Sequence, residues 1–202
     1  MRLKWLGIHV LRVMQHEYGD GGVVPRSHRN VACRVLGEEE VLAFAVDPAL
    51  ELDEQWVRSA FARGALCLGA VENGRLLGYT WLGFRDTPCA AGVWIALDAS
   101  LRYAHRSFVR PGYRRQRIVQ ALRALAERPE QWRGRRASVS VDEARPGAST
   151  LGYAACATIF GILIALRSPG LRRAGIRFYA PPPARIADRM QAWPDRSPHS
   201  SA

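Results

Sequence analysis

Lysine is almost missing from this 202-residue chain: Lys4 is the only one, so 28 of the 29 basic residues are arginines. No Walker A loop occurs, because that loop needs an internal lysine. Cysteine is also scarce. Cys33, Cys67, Cys89 and Cys156 are widely spaced with no CxxC pair, which excludes a disulfide scaffold and zinc-type spacing. They read as reduced thiols, and the expected compartment is the cytoplasm. The five histidines (His9, His16, His28, His105, His199) form no HxxxH or HxH pair, so no metal site is expected. The G-x-S-x-G elbow of esterases is absent. The uncharged stretch 150–166, 17 residues, falls short of the roughly 20 apolar residues a membrane helix needs. It reads as a short helix followed by a buried strand, and no membrane partner is expected.

What is there is a globular composition, 48% hydrophobic and 23% charged, which excludes disorder throughout, collagen and coiled coil. The length suits one domain with tails. Residues 1–29 read as an N-terminal extension that packs on the domain. Their apolar stretch, Trp5 to Leu11, is no signal peptide, because no small-residue cleavage site follows it. Residues 30–180 make the domain. Residues 181–202 are a Pro/Ser-rich tail, expected to be disordered. The formal charge of +11 favours anionic partners: nucleic acid, an acidic protein or a phosphorylated cofactor.

Along the domain, residues 30–36 read as a strand and 38–46 as a helix opened by three glutamates. Asp53 is placed to cap a second helix reaching about Arg63. Residues 65–72 and 75–84 flank Asn73-Gly74, the preferred type I′ hairpin turn. Strand character returns between Gly92 and Val109. Its second half puts Tyr103, His105, Ser107 and Val109 on one face. Pro111-Gly112 breaks it, a helix runs from Arg114 to about Glu127, and 137–141 is a strand. A short helix over 148–156, a strand over 159–166 and a last strand over 176–180 follow. The fold class is α+β: a central mixed sheet, mostly antiparallel, with helices on its faces.

The chemistry lies in Ser107 to Leu122, where a strand ends and a basic loop enters a helix. A helix N-terminus offers unpaired N–H groups to an anion, and Arg114, Arg115 and Arg117 add charge. Here the sequence resembles the GCN5-related N-acetyltransferase family. Val109, Pro111, Tyr113 and Arg114 fit its V-x-P-x-Y-R strand end. Arg114, Arg115, Gln116, Arg117, Ile118 and Val119 stand where its Q/R-x-x-G-x-G/A loop holds a CoA pyrophosphate. Arg117 and Val119 occupy the two glycine positions. Downstream, Ser149 and Tyr153 keep the spacing of a second family motif.

The resemblance implies a sheet splayed at its central strands and direct acyl transfer from an acyl-CoA, expected to be acetyl-CoA, to an amine. It implies that the strand backbone at Phe108 and Val109 pairs with the pantetheine arm, and that Tyr153 is the general acid toward the thiolate. His105 is the candidate base, since no Asp or Glu lies between Leu101 and Arg117. The acceptor is not named by the sequence. The expected state is a monomer or homodimer, with an acidic protein among its partners. Two alternatives stand beside this reading: a member of the fold that binds a ligand or protein without catalysis, and a nucleic-acid-binding protein driven by charge.

Overall fold

The two-residue Asn73-Gly74 turn organises the centre of the molecule. Both residues take left-handed φ, 51° and 73°, as a type I′ turn requires. The computed structural model describes residues 8–17, 31–90, 93–141, 149–159 and 162–179. Strands β1 (Ile8–Glu17), β2 (Ala32–Leu36), β3 (Leu66–Glu72), β4 (Arg75–Gly83), β7 (Leu101–Val109), β8 (Ala137–Val141), β9 (Ser149–Ile159) and β10 (Ile162–Arg167) form one sheet. Its order is β10-β9-β1-β8-β7-β4-β3-β2. All pairs are antiparallel except β7 with β8. A second sheet holds β5 (Thr87–Ala90), β6 (Val93–Ala96) and β11 (Arg177–Tyr179).

Helices α1 (Glu38–Ala45) and α2 (Glu54–Ala62) cover one face. Asp53 caps α2 by accepting from the Trp56 amide at 2.7 Å, as its position in the sequence implies. Trp56, Val57 and Ala60 then bury against Leu36, Cys67, Tyr79, Trp81 and Phe108. Helix α3 (Ile118–Ala126) covers the other face. Its stripe Ile118, Leu122, Leu125 packs on Leu68, Leu77, Leu82 and Ala104. The short helices α4 (Pro129–Trp132) and α5 (Pro169–Arg173) complete the set. The second sheet and Leu171 of α5 close a third apolar cluster with Leu11, Val13, Tyr103, Val139 and Ala154. Cys67 and Cys89 are buried and Cys33 is half-buried. Burial pushes the Cys67 and Cys33 thiols up, away from thiolate.

Two expectations are corrected. Residues 8–17, placed with the extension, form a strand inside the sheet, between β8 and β9. Leu11 and Val13 bury on one face and Met14 and His16 on the other, with a register shift between Val13 and Met14. Residues 149–156, expected as a helix, belong to β9. The alanine-rich run favours helix locally, but β1 supplies a pairing edge from Ile8↔Ala157 to Gln15↔Ser149, and the ladder overrides propensity. The residues 181–202 expected as a disordered tail lie outside the described residues. No described helix is long and apolar enough to cross a membrane. Among the described residues no cluster of three or more His, Cys, Asp or Glu is placed to hold a metal.

Candidate functional site

Strands β7 and β8 run parallel but pair only at Leu101↔Ala137, Arg102↔Ser138 and Tyr103↔Val139. Beyond Tyr103, β7 continues for six residues without a β8 partner. The two central strands therefore splay toward the carboxyl end of β7. The backbone edge left open there is a row of strand N–H and C=O groups, ready to pair with an extended amide-bearing arm.

A β-bulge sits on this open run. Arg106 has φ 49°, and the β4 register shifts opposite it, between Tyr79 and Trp81. The bulge breaks the expected single face. Tyr103, His105 and Phe108 lie toward α2, whereas Ser107 turns to the α3 side. There its hydroxyl meets that of Thr80 at 2.9 Å, in a recess lined also by Val119 and Arg123. His105 is 5% exposed; its ring stacks on Tyr103 at 4.7 Å and meets Trp56 edge-on at 6.1 Å. The Arg106 guanidinium lies 4.0 Å over the Trp56 ring and donates to the Glu51 carbonyl. Trp81, Trp94 and Tyr103 are at most 2% exposed and belong to the core.

Three interactions fix the loop that follows. Arg110 donates through Nε to the Leu76 carbonyl and through Nη2 to Asp47 at 2.5 Å. That guanidinium holds the Asp47 carboxyl below its ordinary range. Residues Pro111–Tyr113 make one 3₁₀ turn, and Gln116 donates back to the Gly112 carbonyl. Gly78 lets the strand end and the helix start approach: a Cβ there would meet the Phe108 carbonyl oxygen at 2.7 Å and Ile118 Cγ2 at 3.2 Å.

Then comes the point where the sequence departs from the family pattern. Arg117, at the first glycine position, takes φ 58°, and Arg115 takes φ 64°. The left-handed bend that glycine provides is kept without glycine. Arg117 is the N-cap of α3 and supplies no capping side chain. The first helical bond is Ala121 N–H to Arg117 C=O, so the Ile118, Val119 and Gln120 amides open toward the loop. Val119, at the second glycine position, is ordinary helix and half-buried. A left-handed non-glycine residue costs roughly 1–2 kcal/mol, and glycine's unfolded-state freedom recovers part of that. Arg117→Gly is therefore expected to raise stability by up to about 1 kcal/mol, a Tm gain of roughly 2–4 °C by thermal unfolding.

The structure brings His105, Phe108, Val109 and the loop 114–119 to one end of β7. It does not bring Tyr153 there. Tyr153 lies on β9, three strands from β7, about 14 Å across the sheet at ordinary strand spacing, and is 53% exposed. Sequence reasoning missed Ser107 with Thr80, and Arg106, because the bulge that aims them depends on the partner strand.

No family model matches the chain, and no curated protein matches it in sequence. Solved structures do match in fold. A GCN5-related N-acetyltransferase from Kribbella flavida is 16% identical, with a TM-score of 0.50, over 87% of this chain and 65% of that one. A functionally unknown conserved protein from Staphylococcus epidermidis is 14% identical, with a TM-score of 0.48, over 76% of this chain and 63% of that one. A GNAT-family acetyltransferase from Brucella melitensis, solved with acetyl-CoA, is 20% identical, with a TM-score of 0.35, over 53% and 71%. This chain thus spans slightly less than two thirds of the length of the first two. Its fold is that of the GCN5-related N-acetyltransferases.

Proposed function

We propose that the chain is an acyl-CoA-dependent N-acyltransferase, with acetyl-CoA as the donor. The observation that carries this reading is the splay of β7 from β8, ended by a loop that bends left-handed at the family's glycine position. In it, the open edge at Phe108 and Val109 pairs with the pantetheine amides. The loop amides and the side chains of Arg114, Arg115, Gln116 and Arg117 take the pyrophosphate. A neutral acceptor amine attacks the thioester carbon. The N–C bond forms, the C–S bond breaks, and CoA leaves as the thiolate. The amine's surplus proton passes to His105, whose support is its place on the open half of β7. The thiolate takes its proton from water, because Tyr153 stands too far across the sheet to serve.

That displacement of Tyr153, together with the carboxylate-free strand, supports a second reading: the fold binds acyl-CoA without transferring the acyl group. One experiment separates the two. Acetyl-CoA at about 100 times its dissociation constant stabilises by about 2.7 kcal/mol, a Tm rise of roughly 5–10 °C, larger than with ATP. Thiol release on adding a panel of primary amines then marks transfer. A Tm rise with no thiol release favours binding alone, and no rise at millimolar acetyl-CoA removes both readings.

A further inference from the structure

Several arginines spend their charge inside the fold. Arg34 pairs with Glu40, Arg58 with Glu54, Arg102 with Glu127 and Arg110 with Asp47. Arg133 and Arg135 donate to the Gly64, Ala99 and Phe84 carbonyls. Arg114, Arg115 and Arg117 differ. All three are exposed, and among the described residues no side-chain hydrogen bond or ion pair engages their guanidiniums. No Asp or Glu stands between Asp98 and Glu127 in the chain. Asp47, the carboxylate that reaches the start of this loop, is taken by Arg110 and by the Ala49 amide.

This charge is held at a conformational cost. Arg115 and Arg117 both take left-handed backbone, φ 64° and 58°, which disfavours any residue with a Cβ. Like charges this close in the chain also repel. Glycine at 117 would relieve both, so the retained arginine points to a use for its guanidinium. The acyl-CoA reading supplies part of that use. Side chains at 117 and 119, where the family pattern has glycine, hold a phosphate off the backbone, and a guanidinium spans the gap with a bidentate grip. A pyrophosphate diester carries only one charge per phosphorus, and the Ile118, Val119 and Gln120 amides already open toward it. Arg114, where the family pattern has Gln or Arg, adds a cation. Arg115 and Arg117 are then in surplus. CoA has one further phosphate, the 3′-monoester on its ribose, which carries close to two charges at neutral pH.

We propose that Arg115 and Arg117 grip the 3′-phosphate of CoA, so that this phosphate decides which donors the chain accepts. This rests on the acyl-CoA reading and names its donor class: thioesters of complete CoA, with thioesters of dephospho-CoA or bare pantetheine rejected. The transfer chemistry is unchanged, because the 3′-phosphate stands at the far end of the donor from the thioester. Contacts from exposed guanidiniums to such a group weaken as salt rises.

Isothermal titration of the full chain tests this with two donors, acetyl-CoA and acetyl-dephospho-CoA, which lacks only the 3′-phosphate. The wild type should bind the dephospho donor more weakly, by about tenfold or more. In Arg115→Asn/Arg117→Gly both replacements suit left-handed backbone, so the loop keeps its path. That variant should not lose Tm, and it should narrow the gap by roughly threefold or more, chiefly by losing affinity for acetyl-CoA. Arg172→Gln, at an exposed arginine on α5, should leave the gap as it is. A smaller gap in the wild type overturns the assignment, whatever the variants do, and leaves the acyl-CoA reading standing. A gap that survives in the double variant, or shrinks equally in Arg172→Gln, also overturns it, because the 3′-phosphate is then read elsewhere or by net charge alone. Failure of both donors to bind at millimolar concentration removes the acyl-CoA reading and this assignment with it.

Discussion

Arg102→Ala is expected to cost about 3–5 kcal/mol, a Tm drop on the order of 10 °C for a chain of this size. Arg102 is fully buried. Its guanidinium stacks 3.6 Å over the Trp132 ring and donates to the Ala126 and Gln131 carbonyls and to Glu127. Removing it leaves Glu127, 18% exposed, with His16 as its remaining partner, and strips two carbonyls of a charged donor. The loss should be partly recovered in Arg102→Ala/Glu127→Gln, since the stranded carboxylate is then neutral. Thermal and denaturant unfolding of the three proteins checks this. A single variant within 1 kcal/mol of wild type would show that the cluster is not a stabilising unit.

Gly78→Ala is the second large effect, at about 3 kcal/mol. The added methyl runs into the Phe108 carbonyl oxygen, which belongs to backbone and cannot rotate away as a side chain can. Relief requires β7 to move from β4, at the register Gly78↔Val109, just where the open edge meets the loop. The variant should therefore lose most of the acetyl-CoA-induced Tm rise besides its own stability. Gly112→Ala is the matched control: nothing lies within 4 Å of its would-be Cβ, and its cost should stay within about 0.5 kcal/mol. Equal behaviour of the two variants would refute the close-approach argument.

What the sequence disclosed follows from how local each signal is. The Asn73-Gly74 turn and the Asp53 cap are decided within four residues, and both formed as read. The α3 stripe is also local, and its helix begins only after the left-handed Arg117. The bulge at Arg106 was illegible because it answers to register against β4. The helix expected over 148–156 and the placing of residues 8–17 outside the sheet went wrong together, for one reason. Each segment is the other's strand partner, so misreading either removes the evidence for the other. Tyr153 shows how a motif can keep its spacing while its side chain goes elsewhere. Conversely, Arg117 shows a glycine position retained in backbone form alone.

The place of β1 in the sheet has a consequence for biosynthesis. Its partners are distant in the chain: Val13 pairs with Val141, and Ile8 with Ala157. Pairings this far apart raise contact order and slow folding. During translation β1 precedes the other described strands, and some 120 further residues must follow it before either neighbour exists. Until then its apolar edge is exposed to other chains, in the way that makes long-range β-structure prone to aggregation. Because β8 walls the cleft and leans on β1, the proposed donor site is complete only once residues 137–141 have been made. Yield of folded protein should thus depend on chaperones that shield nascent β1.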